Sequence, residues 1–259
     1  ENMTLLIETP VAREKQLAVA ERLIAYGSVY AEQAGYIEEA ENPAAEKRLQ
    51  MMAGEFCGNA SLSLAAWLAQ KKNLQIGEKT EITLEVSGAE ELVRCEMKRE
   101  AEHRFLGRVA MPLPQTIEKR AFTLDGERIE LTVVVFAGIT HILVPASLWG
   151  ENAAKKAEHA ARVWAKELPP VFGLLLFDEK EKSLKPLVAV GDVSLIWERG
   201  CGTSAVGAYL AAREKKDVTV SLKQPGGVMH ATVSYQNGAV TKIEITGSVA
   251  IVAEGTAYL

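Results

Sequence analysis

The sequence predicts an α+β protein of two similar domains, and three observations carry that expectation. A cysteine followed by glycine and a run of small and apolar residues occurs at Cys57 and again at Cys201. Segments of alternating apolar and polar residues follow each copy. The chain has 259 residues, more than one small domain at roughly 100 to 200 residues per domain.

The elements can be taken in chain order. Thr9 and Pro10 suit the N-cap and first position of a helix carrying Leu17, Ala20, Leu23 and Ile24 and ended by Gly27. From Cys57, helical spacing of Leu62, Ala65, Ala66 and Ala69 predicts a buried helix ending in Gln70-Lys71-Lys72, whose basic residues complement the negative pole of the helix dipole. Strands follow, with Ile82, Leu84 and Val86 facing one way, then Val93 to Met97 beyond a turn at Ser87-Gly88. Pro112 and Pro114 interrupt the strand pattern, so the domain boundary is drawn at 117/118.

In the second half a charged helix over 153–166 stops before Pro169-Pro170. Cys201 opens another helix, with Ala205, Val206, Tyr209 and Leu210 at helical spacing and a basic end at Arg213 to Lys216. Val218, Val220 and Leu222 alternate like their counterparts, and Ala231 to Tyr235 answers Val93 to Met97 across a turn at Pro225-Gly226-Gly227. One unit, a helix and then strands, is used twice. Two copies are too few for a solenoid, so two domains facing each other across a cleft are expected.

Composition narrows the function. A net charge of −5 without clustered Lys and Arg argues against nucleic acid as a partner. No apolar run approaches the roughly 20 residues that cross a bilayer, so no membrane role is expected. Three cysteines, Cys57, Cys95 and Cys201, are too few and too far apart for a disulfide framework, and no leader pattern opens the chain. A cytoplasmic protein is expected. No Cys-x-x-Cys or paired-histidine spacing suggests a metal site.

Two cysteines at two helix starts make a chemical device. Unpaired N–H groups and the positive pole of a helix lower a thiol's pKa and supply thiolate. The same N–H groups bind carboxylate, and Gly58 and Gly202 leave room for it. Charge that develops on an amino acid's carboxylate when its α-proton leaves would be stabilised there. Racemisation then needs a base on one face and an acid on the other, a requirement met by a thiolate opposite a thiol. Cys95, between apolar Val93 and Met97, reads as a core residue.

These residues carry a resemblance. Glu55-Phe56-Cys57-Gly58-Asn59-Ala60 and Trp197-Glu198-Arg199-Gly200-Cys201-Gly202-Thr203 resemble the two cysteine motifs of the diaminopimelate epimerase and proline racemase superfamily. The resemblance implies two pseudo-symmetric domains, each a β-barrel around a central helix. It places the domains at 1–117 and 118–248, with a final strand over 249–259 returning to the first. It also implies catalysis by Cys57 and Cys201 without cofactor.

Asn2-Met3-Thr4, Glu32 to Ile37, Leu176 to Glu179, Gln224 to Gly227 and Gly255 to Tyr258 are similar to segments of one branch, the histidine racemases of staphylopine-type metallophore synthesis. Two departures weigh against diaminopimelate as substrate: Ala60 replaces a glycine, and only Gly200 separates Glu198-Arg199 from Cys201. Arg199 also departs from the histidine racemases.

From the resemblance, Asn2, Glu32, His141 and Glu198 are expected to bind substrate, with Gly58, Asn59, Gly202 and Thr203 at the helix starts. Five of them have a plainer reading: Glu32 as a solvated carboxylate, His141 as a structural histidine between Ile139 and Leu143, Glu198 as a surface charge, Asn59 and Thr203 as helix caps. His103, His159 and His230 carry no functional expectation.

The expected activity is conversion of L-histidine to D-histidine for an opine-type metallophore, with a free amino acid as partner and a homodimer left open. A racemase or epimerase of diaminopimelate, proline or another amino acid is the alternative. A non-catalytic amino-acid binder is a third reading, but it would need no matched acid and base.

Overall fold

The computed structural model describes residues 2–191 and 194–259. The chain forms two compact units, Glu1–Met111 with Glu244–Leu259, and Pro112–Ile243. The first unit begins with β1 (Thr4–Ile7), α1 (Arg13–Ile24), β2 (Gln33–Glu38) and β3 (Lys47–Met51). It continues through α2 (Gly58–Lys71), β4 (Lys79–Val86), β5 (Val93–Ala101) and β6 (Arg104–Ala110). The second holds β7 (Thr116–Leu124), β8 (Glu127–Val135), β9 (Thr140–Pro145), α3 (Ala153–Trp164), β10 (Val171–Asp178) and β11 (Ser183–Val190). After these come β12 (Ser194–Trp197), α4 (Thr203–Glu214), β13 (Val218–Gln224), β14 (Gly227–Gln236) and β15 (Ala239–Ala250), the last shared by both units.

In the first unit every strand from β1 to β6 touches α2, so the sheet wraps the helix. The sequence explains the fit. α2 buries Ala60, Ala65, Ala66 and Ala69 together with Leu62, Leu64 and Leu68. Each buried leucine contributes about 1.5 to 3 kcal/mol, more than the few tenths that separate helix propensities, so packing rather than propensity holds this helix. Ile82, Leu84, Val93, Cys95, Met97, Phe105 and Val109 complete the core.

The second unit places β8 to β11 between two helices. Ile142, Val144, Leu174, Leu176, Leu187 and Ala189 share a core with Ala157, Ala160, Ala161 and Trp164 of α3. Strand period puts His141, Leu143, Gly173 and Leu175 on the opposite face, where Leu175 meets the start of α4.

The repeat is longer than the sequence shows. In the first unit β1 pairs parallel with β2, β2 antiparallel with β3, β3 parallel with β4, and β4 antiparallel with β5. In the second, β9 pairs parallel with β10, β10 antiparallel with β11, β11 parallel with β13, and β13 antiparallel with β14. The helices fall at equivalent places, α1 and α3 inside the first parallel crossover, α2 and α4 inside the second. The fold is thus the expected α+β arrangement of two pseudo-symmetric units, each with a sheet around a central helix.

Several details differ from expectation. α1 starts at Arg13 behind Ala12, three residues after Pro10, because Gln16 Nε2 donates to the Val11 carbonyl at 3.2 Å and holds that segment outside the helix. It ends at Ile24, and Gly27 lies in the turn beyond. Residues 112–117 belong with the second unit, since strand pairing lapses from Met111 through the two prolines until Thr116. The last strand starts earlier and stops at Ala250, whose partner is Arg104, the first residue of β6. Ile251 N–H still donates to the His103 carbonyl, after which no strand remains to pair with. No helix among the described residues is long and apolar enough to cross a membrane.

Candidate active site

In the first unit, Cys57 is the N-cap of α2, and its sulfur accepts from Ala60 N–H at 3.4 Å. Its thiol donates to Gln33 Oε1 at 3.2 Å, and Gln33 Nε2 donates to Thr4 Oγ1 at 2.6 Å. The parallel register of β1 and β2, which sets Thr4 beside Gln33, builds this chain.

The segment entering Cys57 is fixed from below. Ser87 Oγ donates to the Glu55 carbonyl at 2.8 Å, and Gly88, at φ +70°, lies so close that a Cβ would sit 2.4 Å from Phe56 N. Burial raises the Glu55 carboxyl above the usual carboxylate range. Gly58 passes the tip of Met111, where an added Cβ would come within 2.8 Å of the sulfur. A side chain there would have to displace only the flexible end of Met111.

Glu32 and Asn2 lie at the joined starts of β2 and β1. Met3 N–H donates to Glu32 Oε1 at 3.3 Å, and Glu32 N–H donates to the Met3 carbonyl at 2.9 Å. Asn59 is the second residue of α2, with its carbonyl accepting from Ser63 Oγ, so the cap is the cysteine and not the asparagine.

In the second unit the cysteine stands one residue further out. The N-cap of α4 is Gly202, at φ +73°, a left-handed conformation that glycine adopts freely. An added Cβ there would also meet Leu175 Cδ1 at 2.5 Å. Cys201 thus precedes the cap, whereas Cys57 is the cap. Its backbone N–H donates to Gln224 Oε1 at 2.8 Å, and Gln224 Nε2 donates to Thr203 Oγ1 at 2.6 Å. Thr203, buried in the first turn, holds Gln224 rather than capping the helix.

His141 Nε2 lies 3.6 Å from Cys201 Sγ. Burial pushes the imidazole down to about 4, so it is neutral at pH 7. Gly173 makes room for the ring, since a Cβ there would fall 2.9 Å from His141 Cδ2. Glu198 follows β12 and is buried, its N–H bonded to the Pro186 carbonyl, so it is no surface charge.

The third cysteine differs from the other two. Cys95 is wholly buried in β5 and its thiol is pushed up to about 12 by that burial, whereas Cys57 and Cys201 are half-buried, and none of the three forms a disulfide among the described residues. No group of three or more metal-ligating side chains occurs among the described residues.

Gln33 and Gln224 were not singled out as site residues by sequence reasoning. The signal for Gln224 was present: it continues the inward face of Val218, Val220 and Leu222, where a glutamine must find partners.

Known proteins fit this picture. Over 97% of its length the chain resembles the structure of a probable proline racemase from Agrobacterium radiobacter K84, with a TM-score of 0.66, 16% identity and 90% of that chain covered, which shows a shared fold. A histidine racemase from Fusobacterium nucleatum subsp. nucleatum is 31% identical over 267 residues, covering 100% of this chain and 94% of that protein. One from Staphylococcus aureus strain Mu50 is 27% identical over 270 residues, with 100% and 94% covered. The protein is an amino-acid racemase, an isomerase. A family model described as the histidine racemase CntK N-terminal domain matches residues 1–258, and the chain belongs to that family.

Proposed function

We propose that the protein interconverts L- and D-histidine, with Cys57 and Cys201 serving as base and acid on opposite faces of the α-carbon. The observation that carries this reading is the matched placement of the two sulfurs: each lies at the start of the central helix of its unit, inside the second parallel crossover, Cys57 as the cap of α2 and Cys201 one residue before the cap of α4. Neither α2 nor α4 has an acidic residue in its first turn, so the positive helix poles are left for the substrate's carboxylate. Histidine is favoured because the relatives that match over the whole chain are histidine racemases.

In the reaction, one sulfur as thiolate takes the α-proton and becomes a thiol, leaving a carbanion conjugated with the carboxylate. The opposite thiol gives its proton to the other face of that carbon and becomes a thiolate. The roles are then reversed for the next substrate of opposite hand. Neutral His141 serves either state of Cys201, since one tautomer accepts at Nε2 from a thiol and the other donates there to a thiolate. Glu32, Asn2 and Glu198 are assigned to the substrate's polar groups. D-histidine would serve an opine-type metallophore, as the resemblance implies.

The test is a panel of L-amino acids in heavy water, with protein dialysed against a chelator and no cofactor added, followed by proton NMR. Loss of the α-proton signal fastest with histidine is expected. Faster exchange of another amino acid would reject histidine, and a need for metal or pyridoxal phosphate would reject the two-thiol chemistry.

A further inference from the structure

We infer that the Gln33 carboxamide is a reversible adapter for the protonation state of Cys57, turning between two hydrogen-bonded orientations as the sulfur alternates between thiol and thiolate. The inference rests on the proposed role of Cys57 as an acid and base. A sulfur with that role must be stable in two states with opposite hydrogen-bond needs: the thiol donates and the thiolate only accepts.

The structure shows the arrangement suited to the thiol. Cys57 S–H donates to Gln33 Oε1 at 3.2 Å while Gln33 Nε2 donates to Thr4 Oγ1 at 2.6 Å. If Oε1 kept this position after the proton left, a carbonyl oxygen would face a thiolate, two acceptors without a hydrogen between them. A half-turn of the amide removes the conflict. Nε2–H then donates to the thiolate, and Oε1 accepts from the Thr4 hydroxyl, which is a donor as readily as an acceptor. The terminal torsion of glutamine is broad and roughly two-fold, so both orientations fit the same side-chain path. No proton passes through Gln33: it moves between sulfur and substrate carbon, and the amide changes only which end it presents.

Three features favour this over a packing role. Gln33 is 7% exposed, and a buried carboxamide is retained only where its polar ends are used. Its neighbour across the β1 and β2 register is a hydroxyl, a neutral group able to reverse its role with the amide. Ala60 N–H, which donates to the sulfur at 3.4 Å, is fixed by the helix and cannot adjust. Gln224 makes the contrast: it binds the backbone N–H of Cys201, which never changes state.

The test reads the sulfur itself. Alkylation of Cys57 by iodoacetamide is followed against pH in the full chain without substrate, with the Cys57 peptide resolved by mass spectrometry. The other titratable groups beside it, Glu32 next to Gln33, Glu55 two residues before Cys57, and Cys95 beneath the first turn of α2, are unchanged in every variant.

Gln33→Glu, which offers only acceptors and a like charge, should raise the alkylation midpoint by about one pH unit or more, and Gln33→Met, which cannot donate, by about half a unit. Thr4→Val should raise it less, and Thr4→Ser should restore the wild-type midpoint. In Gln33→Met kcat should fall about tenfold while KM changes less than about threefold. Midpoints within about 0.3 unit of wild type in both Gln33 variants would overturn the adapter, as would a rise in KM at unchanged kcat, which would make Gln33 a substrate-binding group. If either Gln33 variant fails to fold, the two Thr4 variants decide: an unmoved midpoint in Thr4→Val overturns the proposal. Alkylation does not require racemisation. A protein whose midpoints shift as expected but which exchanges no α-proton therefore refutes the proposed function and leaves the adapter standing.

Discussion

His141 Nε2 stands 3.6 Å from Cys201 Sγ, buried so deeply that the ring stays uncharged at pH 7. The unfolded histidine titrates near 6.5 and the folded one near 4, so between those values only the unfolded chain binds the extra proton. Stability from this group is therefore complete above pH 6.5 and declines as pH falls toward 4, by about 3 kcal/mol in all. Urea unfolding of wild type and His141→Gln at pH 7 and pH 4.5 should show a steeper acid loss in wild type. Equal losses would mean that the ring is solvated.

Removing one sulfur should separate the two half-reactions. Cys57→Ala and Cys201→Ala should each lower racemisation by roughly 100 to 10,000-fold or more, since under the proposed mechanism each lacks one general acid or base. In heavy water each variant should wash out the α-proton of a single enantiomer with retention, and the two variants should choose opposite enantiomers. Exchange of the same enantiomer by both would show that the sulfurs are not an opposed pair.

The two motif glycines should respond unequally to alanine. Gly202→Ala combines a left-handed backbone with a clash against the Leu175 side chain, and about 2 to 4 kcal/mol of stability should be lost. Gly58→Ala meets only the flexible end of Met111 and should cost about 1 kcal/mol. Denaturant midpoints measure both, and a Gly58 variant weaker than the Gly202 variant would contradict the packing described.

Glu32→Gln should reduce turnover of histidine by about tenfold or more while leaving the unfolding midpoint nearly unchanged, because the backbone bond from Glu32 N–H to Met3 survives the substitution. Unaltered kinetics would make this carboxylate structural.

Much of the framework was legible because local patterns agree with the fold. Ile82, Leu84 and Val86 alternate inward as their spacing says, Cys95 sits in the core between Val93 and Met97, and the two Cys-Gly helices are the central helices of their units. The first half of the repeat was hidden, since β1, α1, β2 and β3 share with β9, α3, β10 and β11 a pairing pattern but no common motif. The start of α1 was misread because a long-range contact, Gln16 to Glu38, overrides the Thr9-Pro10 signal. Gln33 was out of reach, since it meets Cys57 from a strand 24 residues away in sequence, whereas His141, which meets Cys201 from 60 residues away, was marked only through the resemblance.

β15 gives the last stretch of sheet to the first unit, pairing Glu244 to Ala250 with β6. A ribosome delivers β6 long before β15, so during synthesis the newly made first unit waits with an open edge of unpaired backbone N–H and C=O groups along Arg104 to Ala110. Neither gatekeeping proline nor a bulge interrupts the pairing of β6 with β15. Nascent chains stalled before residue 244 should therefore be captured by holdase chaperones or aggregate, while chains released past residue 250 should not. The unit that is made first is completed last.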